Sequence, residues 1–171
     1  CGGMFTANTM SSSFEALDTL RVVLGLTTRP RRVECFDIST LQGSETVASM
    51  VVAVDGRMRR SDYRKFRIKG RQAVPTDGAV PLPDDFAAMR EVVLRRYSRL
   101  LEQAGTFPDL IIVDGGKGQL TAAYSALAEL GLERLVAVGL AKQEELLFTR
   151  DRLEGIALPH EGAALRLLQR I

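Results

Sequence analysis

Two aspartates carry the chemistry that this sequence offers. Asp114 closes a short apolar run, Leu110 to Val113, and Gly115 and Gly116 follow at once. Asp37 stands in a similar place after Val33-Glu34-Cys35-Phe36. Both runs read as buried strands, so each carboxylate is expected at a strand end. If the two strands are parallel neighbours, both acids lie at one edge of the sheet. Close carboxylates repel unless a cation sits between them. Mg2+ or Mn2+ suits such a pair, because hard oxygen ligands hold it and water completes the shell. A site of this kind activates water and stabilises charge on a phosphodiester oxygen. The alternative for Asp114 is a plain helix cap, although a cap does not by itself require two adjacent glycines.

Other residues extend this core. Asp84-Asp85 offers a third carboxylate, or simply acids favoured at a helix start. Gly115 and Gly116 allow close backbone approach, Lys117 can meet a phosphate, and Gln119 reads as surface. Arg57, Arg59, Arg60, Arg64, Lys65, Arg67, Lys69 and Arg71 crowd one short window. Such a cluster either contacts phosphates or forms a solvated face. Arg59, Arg60, Tyr63, Arg64 and Lys65 are its candidates for holding a nucleic-acid backbone, with Tyr63 alternatively an ordinary packing residue. His160 is the sole imidazole and follows Pro159 in a turn.

The elements that must position these residues follow from periodicity. Phe14, Leu17, Leu20 and Leu24 predict a helix over 14–26. Val33 to Ser39 is a strand, with Val33, Cys35 and Asp37 on one face and Phe36 and Ile38 on the other. Thr46 to Val54 is a second strand, Asp55-Gly56 a hairpin turn, and Met58 to Ile68 a third strand. Gly70 to Pro83 holds three prolines and two glycines and reads as a long loop. A helix runs from Asp84 to about Ala104, with Phe86, Met89, Val92, Val93, Tyr97, Leu100 and Leu101 as its apolar stripe. Then come the Asp114 strand and its helix, a strand over 134–140, a small hairpin joining 146–149 to 155–158, and a last helix from 161. The order is β-β-β-α-β-α-β, an α/β class with three antiparallel strands followed by parallel ones. Residues 1–29 read as an N-terminal extension with a short helix, and 30–171 as the main domain.

The 171 residues, 46% hydrophobic and 26% charged, suit one globular domain. A net charge of +2 is too modest to establish a nucleic-acid partner. Two distant cysteines and one histidine supply too few ligands with the right spacing to resemble a zinc site and argue against a secreted disulfide scaffold. No run approaches the roughly 18 apolar residues of a membrane span, and a cytoplasmic setting is expected. Gly115-Gly116-Lys117-Gly118 has neither the dinucleotide spacing nor that of a phosphate-binding Walker loop. A nucleotide-using metabolic enzyme is thereby disfavoured. The remaining competitor to a nuclease is a nucleic-acid-binding or interaction module without chemistry.

Several long stretches, taken together, resemble a known family. They are Val33 to Ser39 with Gln42-Gly43, Ser61-Asp62-Tyr63-Arg64, Asp84 to Glu91, Arg96-Tyr97, Asp109 to Gln119 and Gly139-Leu140-Ala141-Lys142. In this order they are similar to the C-terminal endonuclease region of UvrC, the incision subunit of bacterial nucleotide excision repair. The resemblance implies an RNase H-like fold and metal-dependent hydrolysis on the 5′ side of a lesion, leaving 3′-hydroxyl and 5′-phosphate ends. It implies that Asp37 and Asp114 are catalytic metal ligands and that Asp85, preferred slightly over Asp84, is a further functional acid. Lys117 and Lys142 join the basic residues as nucleic-acid contacts. The implied partners are damaged double-stranded DNA and the damage-recognition helicase subunit, UvrB, reached through the full-length protein; the isolated chain is expected to be monomeric. The family continues past the match at Ile171 into a segment with an essential histidine, to which His160 does not correspond, and into tandem helix-hairpin-helix motifs. A chain ending at Ile171 is therefore expected to be weak or inactive alone. The stretch from Arg71 to Pro83 is longer than usual in the family.

Overall fold

The fold is built around β1 (Arg32–Leu41), which has a different kind of neighbour on each side. The computed structural model describes residues 15–41, 45–69, 84–141, 146–150 and 155–157. On one side β1 pairs along its whole length with antiparallel β2 (Glu45–Val54). Asp55 and Gly56, both at positive φ, then turn the chain into β3 (Arg57–Met58), as the Asp-Gly signal predicts. The expected single third strand is broken. A 3₁₀ turn over Arg60–Asp62 separates β3 from β4 (Arg64–Arg67), and both short strands pair with β2. The reason lies in Asp62, whose carboxylate turns inward to accept from Arg32 Nη1 at 3.0 Å.

On its other side β1 pairs in parallel with β5 (Leu110–Asp114). Helix α2 (Asp84–Gln103) makes the crossover between these halves; a helix over residues 15–24, α1, precedes β1. Helix α3 (Lys117–Glu129) leads from β5 to parallel β6 (Ala137–Ala141). The antiparallel hairpin of β7 (Leu146–Phe148) and β8 (Ile156–Ala157) closes the sheet. The strand order β3-β2-β1-β5-β6-β7-β8, with β4 also on β2, reverses direction between β1 and β5. That is the switch point at which open α/β sheets form their sites.

Strand alternation sorts the core into two layers. Phe36, Ala48, Met50, Val52, Ile111 and Val113 face α2 and α3, where they pack against Met89, Val92, Tyr97, Leu120 and Leu127. Val33, Cys35, Ala53, Leu110, Ile112, Val138 and Leu140 face the other way, against Ala16, Leu17 and Leu20 of α1. Residues before 30, expected as an extension, thus supply a helix that covers one face of the sheet. The RNase H-like α/β class expected from the sequence is the architecture observed. Among the described residues no helix is long and apolar enough to cross a membrane. His160, Lys142, Arg71, the 70–83 stretch and the expected helix from 161 lie outside the described residues.

Candidate active site

Asp37 and Asp114 owe their meeting to the parallel pairing of β1 with β5. The register runs Val33 to Leu110, Glu34 to Ile111, Cys35 to Ile112 and Phe36 to Val113. The next step sets Asp37 beside Asp114, one inter-strand spacing of about 4.8 Å apart. Both follow the parity of Cys35 and Ile112, so both project on the α1 face, at the carboxyl end of the parallel strands. Asp37 is exposed and Asp114 half-buried. Contrary to expectation, Asp37 does not end its strand, since β1 runs on to Leu41. It stands instead where β5 stops, leaving the rest of β1 paired with β2.

The N-cap position of α3 is held by Gly116, two residues beyond Asp114. Gln119, expected at the surface, is the residue that secures this turn: its Oε1 accepts from the Gly116 N–H at 3.2 Å. Gly115 holds φ at +152°, and a Cβ there would collide with the Gln119 side chain, so glycine is required. Gly139 on β6 has a comparable role, since a Cβ there would lie 3.0 Å from the Gly116 carbonyl oxygen and 3.1 Å from that of Gly115. The turn after Asp114 therefore rests directly on β6. A lone glycine within a strand signals such close approach, but the partner is not readable from sequence.

Asp85 reaches the same end of the molecule by another route. Gly118 on α3 abuts the ring of Phe86 on α2, and Arg90 bonds Ser125 and Glu129 further along. The two helices thus run side by side with their N-termini together, placing exposed Asp85 at the edge that carries Asp114. It belongs to the helical layer on the opposite face of the sheet from Asp37. Among the described residues, no three His, Cys, Asp or Glu side chains are gathered closely enough to hold a metal ion.

The basic cluster is divided by its pairing. Lys65 lies opposite Ser49, and Ser49 opposite Asp37. One row across the α1 face therefore reads Lys65, Ser49, Asp37, Asp114, Leu140. Met58, by contrast, pairs with Ala53 and Ala53 with Val33, four residues back along β1. Arg59 and Arg60 are exposed beside that remote end, about 13 Å from the aspartate row at 3.3 Å per residue. Tyr63 is half-buried and packs on the core. Arg64 is exposed and donates to the carbonyls of Ser61 and Tyr63. Lys117 is exposed in the first turn of α3, where the helix dipole favours anions.

A buried ionic network holds β1 at its other end. Glu34 is fully buried. It accepts from Arg96 Nε and Nη2, each at 3.2 Å, from Arg32 Nε at 3.0 Å and from Tyr97 Oη at 2.9 Å. Burial, reinforced by the Glu34 charge and hydrogen bond, pushes the Tyr97 hydroxyl well above its ordinary pKa. Burial works against the Arg32 charge, but the bonds to Asp62 and Glu34 outweigh it and leave that pKa raised. Arg32 in turn depresses the Asp62 carboxyl by hydrogen bonding. Glu34 has the alternation of an ordinary core position, so no local signal marks it.

Comparison with known proteins then places the chain. The family described as the UvrC RNase H endonuclease domain matches residues 21–171. The chain belongs to that family. UvrABC system protein C of Aromatoleum aromaticum is 46% identical over 162 residues, covering 91% of this chain and 25% of the relative. The namesake from Koribacter versatilis is 47% identical over 153 residues, covering 89% and 24%. The chain thus spans about a quarter of the length of these UvrC relatives. A solved Ciona intestinalis endonuclease V bound to inosine-containing DNA is 18% identical, with a TM-score of 0.46, over 83% of this chain and 59% of its own. Within the UvrC family frame, Asp37 and Asp114 are the acids that the fold brings together.

Proposed function

We propose that this domain hydrolyses one strand of damaged DNA on the 5′ side of a lesion during nucleotide excision repair, leaving a 3′-hydroxyl and a 5′-phosphate. The observation that carries the reading is the parallel β1–β5 register, whose continuation by one residue sets Asp37 beside Asp114 on one face at the switch point of the sheet. The donor chemistry fits a hard divalent cation, Mg2+ or Mn2+. Such ions are commonly held by one or two carboxylates, with water and substrate phosphate completing the shell. Asp37 and Asp114 would hold it, with Asp85 a further functional acid at the same edge. When bound, the cation supplies Lewis-acid stabilisation of phosphodiester charge.

The chain's own residues do the rest. The Gly115-Gly116 turn, pinned by Gln119 and seated on Gly139, fixes the strand end that carries Asp114. Lys117 presents a cation at the positive end of α3. Arg59, Arg60, Arg64 and Lys65, with Lys142, supply phosphate attraction that is independent of sequence. In the full-length protein we place damaged duplex DNA and the UvrB helicase subunit as partners.

The test uses the full-length protein with its damage-loading subunit on a lesion-containing duplex. Asp37→Asn and Asp114→Asn are expected to abolish 5′ incision while leaving DNA binding and thermal stability intact. Chelation should stop the wild-type reaction, and added Mg2+ or Mn2+ restore it. Metal-dependent 5′ incision retained by both variants would overturn the assignment and favour a binding module without chemistry.

A further inference from the structure

The row that contains the two aspartates does not stop at them. On its β6 side it meets Leu140, which is 1% exposed, so that side is closed and apolar. On its β2 side it continues through half-buried Ser49 to exposed Lys65. Parity is confirmed by Phe66, which packs on the opposite layer with the Arg95 guanidinium 5.6 Å from its ring centroid. Lys65 and Arg67 flank it and therefore project on the α1 face. Arg67 is paired with Glu45. Among the described residues, Lys65 has no carboxylate partner. A cation without a counter-charge, in line with two acids and on the open side of the row, faces the approach left for an anion.

We propose that Lys65 and Ser49 seat a phosphate of the strand being cut beside Asp37, so that the strand enters across β4 and β2. Lys65 then serves in positioning the scissile region, beyond general attraction of DNA. Two strand spacings, about 10 Å, separate its Cα from that of Asp37. A flexible four-carbon stem with its ammonium and an intervening phosphate bridge that distance. Ser49, between them, offers a hydroxyl that donates to a phosphate oxygen without adding charge. Arg59 and Arg60 are too far back along the sheet for this duty.

The inference rests on the nuclease reading, and the experiment separates the two. In the full-length protein with its damage-loading subunit, the 5′-incision rate at saturating enzyme and the DNA affinity are measured separately. Lys65→Gln is expected to lower the saturated rate about 10- to 100-fold, in the range typical of lost positioning or anion stabilisation, with affinity changed less than about threefold. Lys65→Arg should recover most of the rate, and Ser49→Ala should lower it in the same sense but less. Unchanged thermal melting of each variant keeps misfolding out of the comparison. A wild-type saturated rate for Lys65→Gln, or a loss confined to affinity, overturns the proposal while Asp37→Asn remains inactive. If Asp37→Asn still cuts, the nuclease assignment itself has failed.

Discussion

Glu34→Ala is expected to destabilise the domain by about 3–5 kcal/mol, the usual cost of removing one partner from a buried ion pair. The structure sets this magnitude. Glu34 is fully buried, and the side chains of Arg96 and Arg32 around it are only 14% and 18% exposed. Removing the carboxylate leaves Arg32 with Asp62, but leaves Arg96 without a described counter-charge. The Tyr97 hydroxyl also loses its acceptor. Adding a separate value for each of the four hydrogen bonds would overcount, because contacts within one network are not additive. For a domain of this size, about 2–4 °C of melting temperature accompanies each kcal/mol, which places the fall at about 6–20 °C. Calorimetry or circular-dichroism melting reads it directly. Glu34→Gln keeps the volume and some acceptor capacity and should fall between wild type and alanine. A fall below about 2 °C for Glu34→Ala would mean a cost near 1 kcal/mol or less, refuting the claim that the guanidiniums depend on this carboxylate.

The same network gives an alkaline signature. The folded Tyr97 pKa is raised above the unfolded value of 10.0, so its contribution is complete below pH 10 and is lost as pH rises through the folded value; Tyr97→Phe should flatten that decline in unfolding measured from pH 9 upward. Gly118→Ala places a methyl group against the Phe86 ring and is expected to cost about 1–3 kcal/mol by overpacking. Denaturant titration of Gly118→Ala, Phe86→Leu and the double variant should show the double less destabilised than the sum; strict additivity would refute direct contact. Gly139→Ala must push the Gly115 and Gly116 carbonyls by tenths of an ångström. Saturated incision should therefore fall by up to about 100-fold, since a misplacement near 1 Å costs about that much; an unchanged rate would show that the turn does not set the site.

The local elements were largely legible. Leu110 to Val113 is a β-branched run that stops at an acid and two glycines, and nothing in the tertiary context alters that reading. Asp55-Gly56 dictates its hairpin because both residues must take positive φ. The third strand was less legible: Asp62 breaks it to reach Arg32, thirty residues earlier in the chain. Gln119 looked like surface because a cap to the Gly116 N–H depends on where the helix starts, and helix boundaries are the least determined feature of a pattern.

The local chain pattern settles which residues could do chemistry and which face of its own strand each one takes, because alternation with period two is a local property. It therefore sets Asp37 on a face with Cys35, and Asp114 with Ile112. The assembled sheet alone makes β1 and β5 parallel neighbours in a register that aligns those two acids. It also sets Ser49 and Lys65 in that row while Arg59 and Arg60 stand at the far end, although all four residues lie within seventeen consecutive positions, 49 to 65. Strand pairing joins residues far apart in the chain, and a shift of one residue would turn every side chain of a strand to the opposite face.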